Sequence, residues 1–158
     1  LRRKFGQVPY ESVVSGPGLT QIFGFFQETG AGAPSQRLQE ILKAGADTAE
    51  AITELAAASL DPLAMRALDL FVAVYGAFAG NLALAVLAHG GVYVAGGIGP
   101  KIVAKLRDGT FMRAFVNKEG QYRKLLETIP VRVVMNPQVG LRGALMEAQR
   151  LVNRDTKG

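Results

Sequence analysis

The sequence predicts an α/β fold in which helix outweighs strand, and three observations carry that prediction. Two short apolar runs with β-branched residues, Val92 to Ala95 and Ile129 to Met135, are each followed by turn-forming residues. Stretches with apolar residues at helical spacing lie before, between and after them. The longest apolar stretch follows Asp61-Pro62, an N-cap residue with proline at the first helical position. Strands interleaved with helices are the pattern of α/β organisation.

Along the chain, Pro9 to Val14 reads as a short helical lead-in. The turn Ser15-Gly16-Pro17-Gly18 then opens a helix whose apolar face is Leu19, Ile22, Phe23, Phe25 and Phe26. Glu28 to Pro34 holds glycines and a proline and reads as a loop. Helices are predicted at about Gln36 to Ala44 and Thr48 to Ala58, with Thr48 as the N-cap of the second and Glu50 in its first turn.

The helix opened by Asp61-Pro62 is predicted to run to about Ala88, and between Leu70 and Ala88 it has no charged residue. Its Gly76-Ala77-Phe78-Ala79-Gly80 segment also fits a membrane-span packing motif. Against a span, the run is mostly alanine and glycine, Asn81 lies near its middle, and no aromatic belt flanks it. A helix buried on all sides inside a protein accounts for the same residues and is the reading adopted, so no membrane partner is expected.

Gly90-Gly91 ends that helix, and Val92 to Ala95 forms a buried strand. Gly96-Gly97-Ile98-Gly99-Pro100 turns the chain into another helix with Ile102, Val103 and Leu106 on its inner face. Asp108 to Gly120 is mixed and polar, anchored by Phe111, Met112 and Phe115. A helix at Gln121 to Glu127, a strand at Ile129 to Met135, a break at Asn136-Pro137 and a last helix at Gly140 to Val152 complete the chain.

With 49% apolar and 20% charged residues, the composition is that of a globular protein, long enough for one domain or for most of one lobe of a larger enzyme. The absence of cysteine excludes disulfides and thiolate metal sites and leaves the cytoplasm as the default location. The net charge of +5 would suit anionic partners, but no helix-turn-helix signal is present and no nucleic acid is expected. Leu1, Arg2, Arg3 and Lys4 open the chain without an initiator methionine, which reads as an internal start. His89, the single histidine, reads as a helix-end or surface residue, and no metal site is expected.

Two units have the form of ligand sites. Glycines at the carboxyl end of strand Val92 to Ala95 let a ligand approach the backbone, and the helix behind them offers amide hydrogens, so nucleotide binding is a natural reading of Gly96, Gly97 and Ile98. A tight strand-to-helix turn explains the same residues. The spacing is not a dinucleotide fingerprint, which would need a third glycine at Ile102. In the second unit, the Glu11 carboxylate stands just before the Gly16-Pro17-Gly18 turn and is suited to hydroxyl-rich ligands; a solvated surface charge is the plainer alternative.

Together these units resemble the bacterial-type glucokinases. The likeness runs from about Glu11 to Leu151 and is carried by Glu11 with Ser15-Gly16-Pro17-Gly18-Leu19, Gly80-Asn81-Leu82-Ala83-Leu84 and Val94-Ala95-Gly96-Gly97-Ile98-Gly99-Pro100. Pro130-Val131, Asn136-Pro137, Gly140-Leu141 and Gly143-Ala144 add to it. The resemblance implies the helix-rich part of the large lobe of an actin-like, ribonuclease H-like sugar kinase, with residues 1–158 as one partial domain. It implies ATP and Mg²⁺, glucose as acceptor, and a homodimer. By position, Glu11 matches the family glutamate that holds sugar hydroxyls; Gly16, Pro17 and Gly18 match the turn beside the nucleotide; Gly96, Gly97 and Ile98 match the adenosine motif. Gly140, Gly143 and Ala144 are expected to let the last helix pack beneath that site. The resemblance also puts the catalytic aspartate, the phosphate loop and further sugar ligands upstream of Leu1, so the chain alone is expected to be inactive. A non-catalytic sugar- or nucleotide-responsive module on the same scaffold is the alternative.

Overall fold

Four helix starts in the computed structural model, which describes residues 6–155, are set by side chains just before them. Ser15 Oγ accepts the Gly18 amide at 3.0 Å and opens α1, Gly16–Glu28. Ser35 Oγ accepts the Leu38 amide at 3.3 Å and opens α2, Gln36–Lys43. Asp47, not the predicted Thr48, caps α3, Thr48–Ala57: its carboxylate accepts the Glu50 amide at 2.8 Å, in keeping with the stronger N-cap preference of aspartate over threonine. Asp61 caps α4, Pro62–Ala85, as its Asp-Pro signal predicts, and that helix ends at Ala85, earlier than expected.

Helix α4 is the centre of the molecule. Its buried residues Leu63, Ala64, Ala67, Leu68, Phe71, Val72, Gly76, Ala79, Gly80 and Ala83 recur every three or four positions, and α1 and α3 pack against it. The apolar run that meets the length and composition of a membrane span is therefore the core helix of this fold, but it is buried along one stripe and not on all sides, since Leu70, Asn81 and Leu82 are exposed. Before α1, Tyr10–Ser12 form a single 3₁₀ turn.

Strand β1, Val92–Val94, pairs in parallel with β2, Val131–Val133, in the register Val92 to Val131 and Val94 to Val133. Both strands are shorter than predicted, and the crossover joining them is helical, as parallel pairing demands. The single helix expected after Gly99 is two, α5 (Ile98–Lys101) and α6 (Val103–Arg107), separated at Ile102. Then α7, Thr110–Phe115, occupies the segment read as mixed and polar, and α8 spans Gly120–Thr128. Phe111 and Phe115 are buried, and α7 lies directly on α4.

The last helix, α9, Val139–Asp155, departs from expectation in its packing. Residues from Val139 to Arg154 are exposed, and a side chain at Gly140 or Gly143 would meet nothing within 4 Å. The close packing expected of Gly140, Gly143 and Ala144 is thus not made, because α9 leaves the sheet after the Asn136-Pro137 break instead of folding back over it. The internal-start residues Leu1 to Lys4 lie outside the described residues.

Candidate functional site

Glu11 sits in the 3₁₀ turn, exposed, and its carboxylate has no hydrogen-bond or ion-pair partner among the described residues. The turn is held at both ends. On one side the Tyr10 ring stacks on Phe78 of α4, with centroids 4.3 Å apart, and its hydroxyl accepts the Asn81 side-chain amide at 3.2 Å. On the other, Val13 presses against Gly18, which is buried. A side chain at Gly18 would overlap the Val13 carbonyl, so only glycine allows α1 to start that close to the turn.

The Gly16-Pro17-Gly18 segment itself offers few free donors. Pro17 has no amide hydrogen, and the Gly18 amide is engaged by Ser15. What this turn supplies is close backbone approach with little side-chain bulk, rather than a nest of amides.

Gly96 follows β1 with φ of 108°, a conformation in which an L side chain is strained. Both Gly96 and Gly97 are exposed, and a side chain at either would meet nothing within 4 Å, so open space lies above the backbone at the carboxyl end of the strand. Gly99 serves packing instead: it is buried, and a Cβ there would lie 3.3 Å from Val94 and 3.4 Å from Val133.

Helix α3 connects the two glycine turns. The nearest atom to a side chain at Gly16 would be Ala49 Cβ, at 3.9 Å. The next residue, Glu50, bonds Lys101 Nζ at 2.6 Å, and Lys101 ends the short helix that begins at Ile98. Glu50 raises Lys101 above its ordinary value, and both side chains are half exposed. The first turn of α3 is thereby a bridge between Gly16-Pro17-Gly18 and the end of the helix that follows Gly97, a role that sequence reading missed because the contacting residues are far apart along the chain. Glu11 joins this ribbon through Val13 and Gly18. No described interaction links Glu11 directly to Gly96, Gly97 or Ile98.

A cavity of about 570 Å³ beside β2, lined by Val94, Leu106, Phe111, Met112, Val133 and Met135 among others, contains none of these seven residues. Nearby, Lys105 pairs with Asp69 and Asp108. Burial pushes the Asp108 carboxyl up, but Lys105 and the Thr110 amide outweigh it and bring the group down to about 2. His89 is exposed, as expected of a surface residue. Among the described residues no three His, Asp or Glu side chains cluster as a metal site.

A glucokinase family profile matches residues 1–151. The chain belongs to the glucokinase family. It is 40% identical to a glucokinase of Synechocystis sp. across 91% of its own length and 44% of that protein's. It is also 40% identical to a glucokinase of Yersinia pestis, over 91% of this chain and 41% of the relative. A crystal structure of glucokinase from an Antarctic psychrotroph superposes with a TM-score of 0.71 at 27% identity, covering 92% of this chain and 43% of that one. The α/β, actin-like sugar kinase fold read from the sequence is therefore the observed one. The chain spans less than half the length of these glucokinases.

Proposed function

We propose that this chain supplies one wall of the active cleft of an ATP-dependent glucokinase, which transfers the γ-phosphoryl of ATP to the 6-hydroxyl of glucose. The observation that carries this reading is the family match over residues 1–151. The local geometry supports it: an unpartnered carboxylate and the tightly packed Gly16-Pro17-Gly18 turn are joined through α1 and the first turn of α3 to the helix that follows the open turn at Gly96 and Gly97.

In this reading Glu11 accepts hydrogen bonds from two sugar hydroxyls and so orients the ring, a task suited to a carboxylate because both oxygens accept. Gly96, Gly97 and Ile98 admit the nucleoside where side chains are missing, and Gly16, Pro17 and Gly18 border the nucleotide. The open space above Gly96 and Gly97 fits a planar base or ribose approaching the backbone. Bound ATP brings Mg²⁺ on its phosphates, which neutralises charge during transfer. The described residues contribute binding and orientation, whereas the catalytic aspartate belongs to the part of the family's length that lies outside the match. Alone, the 158-residue chain is expected to form no glucose 6-phosphate. In the working enzyme, a cytoplasmic location and a homodimer follow from the same reading.

The nucleotide half of this reading is tested with Gly97→Val in the chain joined to the preceding half of the Synechocystis glucokinase. The added side chain fills the open space, so the ATP KM rises about tenfold or more while the glucose KM moves little, one tenfold step being about 1.4 kcal/mol. An unchanged ATP KM removes Gly97 from the nucleotide site.

A further inference from the structure

Within the uncharged run from Leu70 to Ala88, Asn81 stands at an exposed position. Asparagine is a poorer helix former than the alanine and leucine around it, and it buries no apolar surface. The structure supplies its partner: the Asn81 side-chain amide donates to the Tyr10 hydroxyl at 3.2 Å. One turn earlier on the same face of α4, Phe78 stacks on the Tyr10 ring, with centroids 4.3 Å apart and planes inclined by 29°. The Tyr10 carbonyl is also engaged, accepting the Val13 amide at 2.9 Å and the Val14 amide at 2.7 Å. Ring, hydroxyl and carbonyl of one residue are thus all held, and the next residue is Glu11.

We propose that Tyr10, gripped by Phe78 and Asn81, is the positioning residue that fixes the Glu11 carboxylate for its ligand. This rests on the reading of Glu11 as a sugar ligand and goes a step beyond it. A short 3₁₀ turn with no buried residue has little intrinsic rigidity. A carboxylate that must meet two hydroxyls at once needs a fixed backbone beneath it, and small misplacements cost affinity steeply. The core helix α4 is the rigid body available, and Tyr10 is the link from it to the turn. Asn81 thereby acquires a role beyond facing solvent.

The test uses this chain, ¹⁵N-labelled, joined to the preceding half of the Synechocystis glucokinase, with a glucose titration followed at the Glu11 amide and hydrogen exchange followed at the amides of Val13 and Val14. Tyr10→Phe keeps the stack and loses the hydroxyl; Asn81→Leu removes the donor. Each is expected to weaken the glucose response about 3- to 10-fold, the worth of one net hydrogen bond, and to speed exchange at Val13 and Val14. The double variant is expected to be no worse than either single one, because both remove the same bond. Tyr10→Ala, which also loses the stack, goes further, while amide shifts elsewhere in α1 and α4 stay in place. If Glu11→Gln abolishes the response and Tyr10→Phe and Asn81→Leu bind as wild type, the positioning role is overturned and the sugar reading stands. If Glu11→Gln matches wild type, the sugar reading falls and takes the positioning role with it. Additive losses accompanied by shifts along the whole of α4 reduce Tyr10 and Asn81 to fold stability and overturn the proposal as well.

Discussion

Asp61 has no exposed surface, yet its carboxylate serves two helices at once. One oxygen accepts the Ala64 amide at 2.7 Å and caps α4; the other accepts the Ser35 amide at 2.6 Å and fixes the residue that caps α2. Burial pushes the group up, but the amides of Ala64, Ser35 and Leu63 and the Ser35 hydroxyl outweigh it, and the net shift is down from 3.8. A carboxyl lowered on folding stabilises the folded state at every pH above its unfolded value. That contribution is lost as the pH falls below about 4 toward the lower folded value. Asp61→Ala strands two amides and is expected to cost about 3 kcal/mol in urea unfolding at pH 7, with a smaller deficit at pH 3. A deficit equal at both pH values would contradict the account of the carboxylate. The Asp-Pro signal made the α4 cap legible, because capping is a matter of spacing within one turn. The bond to Ser35 was not legible, since nothing local in the sequence joins residues 26 positions apart.

Between elements, the decisive contact is α4 on α7. Gly76 and Gly80, one turn apart, face the carbonyls of Phe111 and Phe115, and a side chain at either position would overlap the backbone there. Backbone cannot move aside as a side chain can, so Gly76→Ala and Gly80→Ala are each expected to lower stability by about 3 kcal/mol, seen as a fall in Tm. Gly24, inside α1 with nothing within 4 Å of a Cβ, is the control: Gly24→Ala is expected to be neutral or to gain about 0.5 to 1 kcal/mol. The small-residue pattern was legible as close helix packing, but α7 as its partner was not, because six residues are too few for helical periodicity to stand out. A different limit applies to α9. Its helical form was readable from Leu141, Leu145 and Val152, whereas periodicity names an apolar face without naming what meets it.

Across the whole molecule, the glucokinase resemblance was legible because its signatures, each unspecific alone, occur in order along nearly the full chain. Their arrangement in space was only partly so. The sequence placed Gly16 to Gly18 at a helix start and Gly96 to Ile98 after a strand; the bridge between them through Ala49, Glu50 and Lys101 belongs to tertiary packing. The structure joins Glu11 to the same ribbon by way of Val13 and Gly18, anchored on α4. The most direct measurement is glucose kinetics of Glu11→Gln in the chain joined to the preceding half of the Synechocystis glucokinase, with unfolding followed in parallel. The carboxamide keeps the shape and loses one acceptor, so kcat/KM for glucose is expected to fall about 100-fold, roughly 2.7 kcal/mol, with stability within about 0.5 kcal/mol of wild type. Unchanged kcat and KM for glucose would contradict the placement of Glu11 in the sugar site.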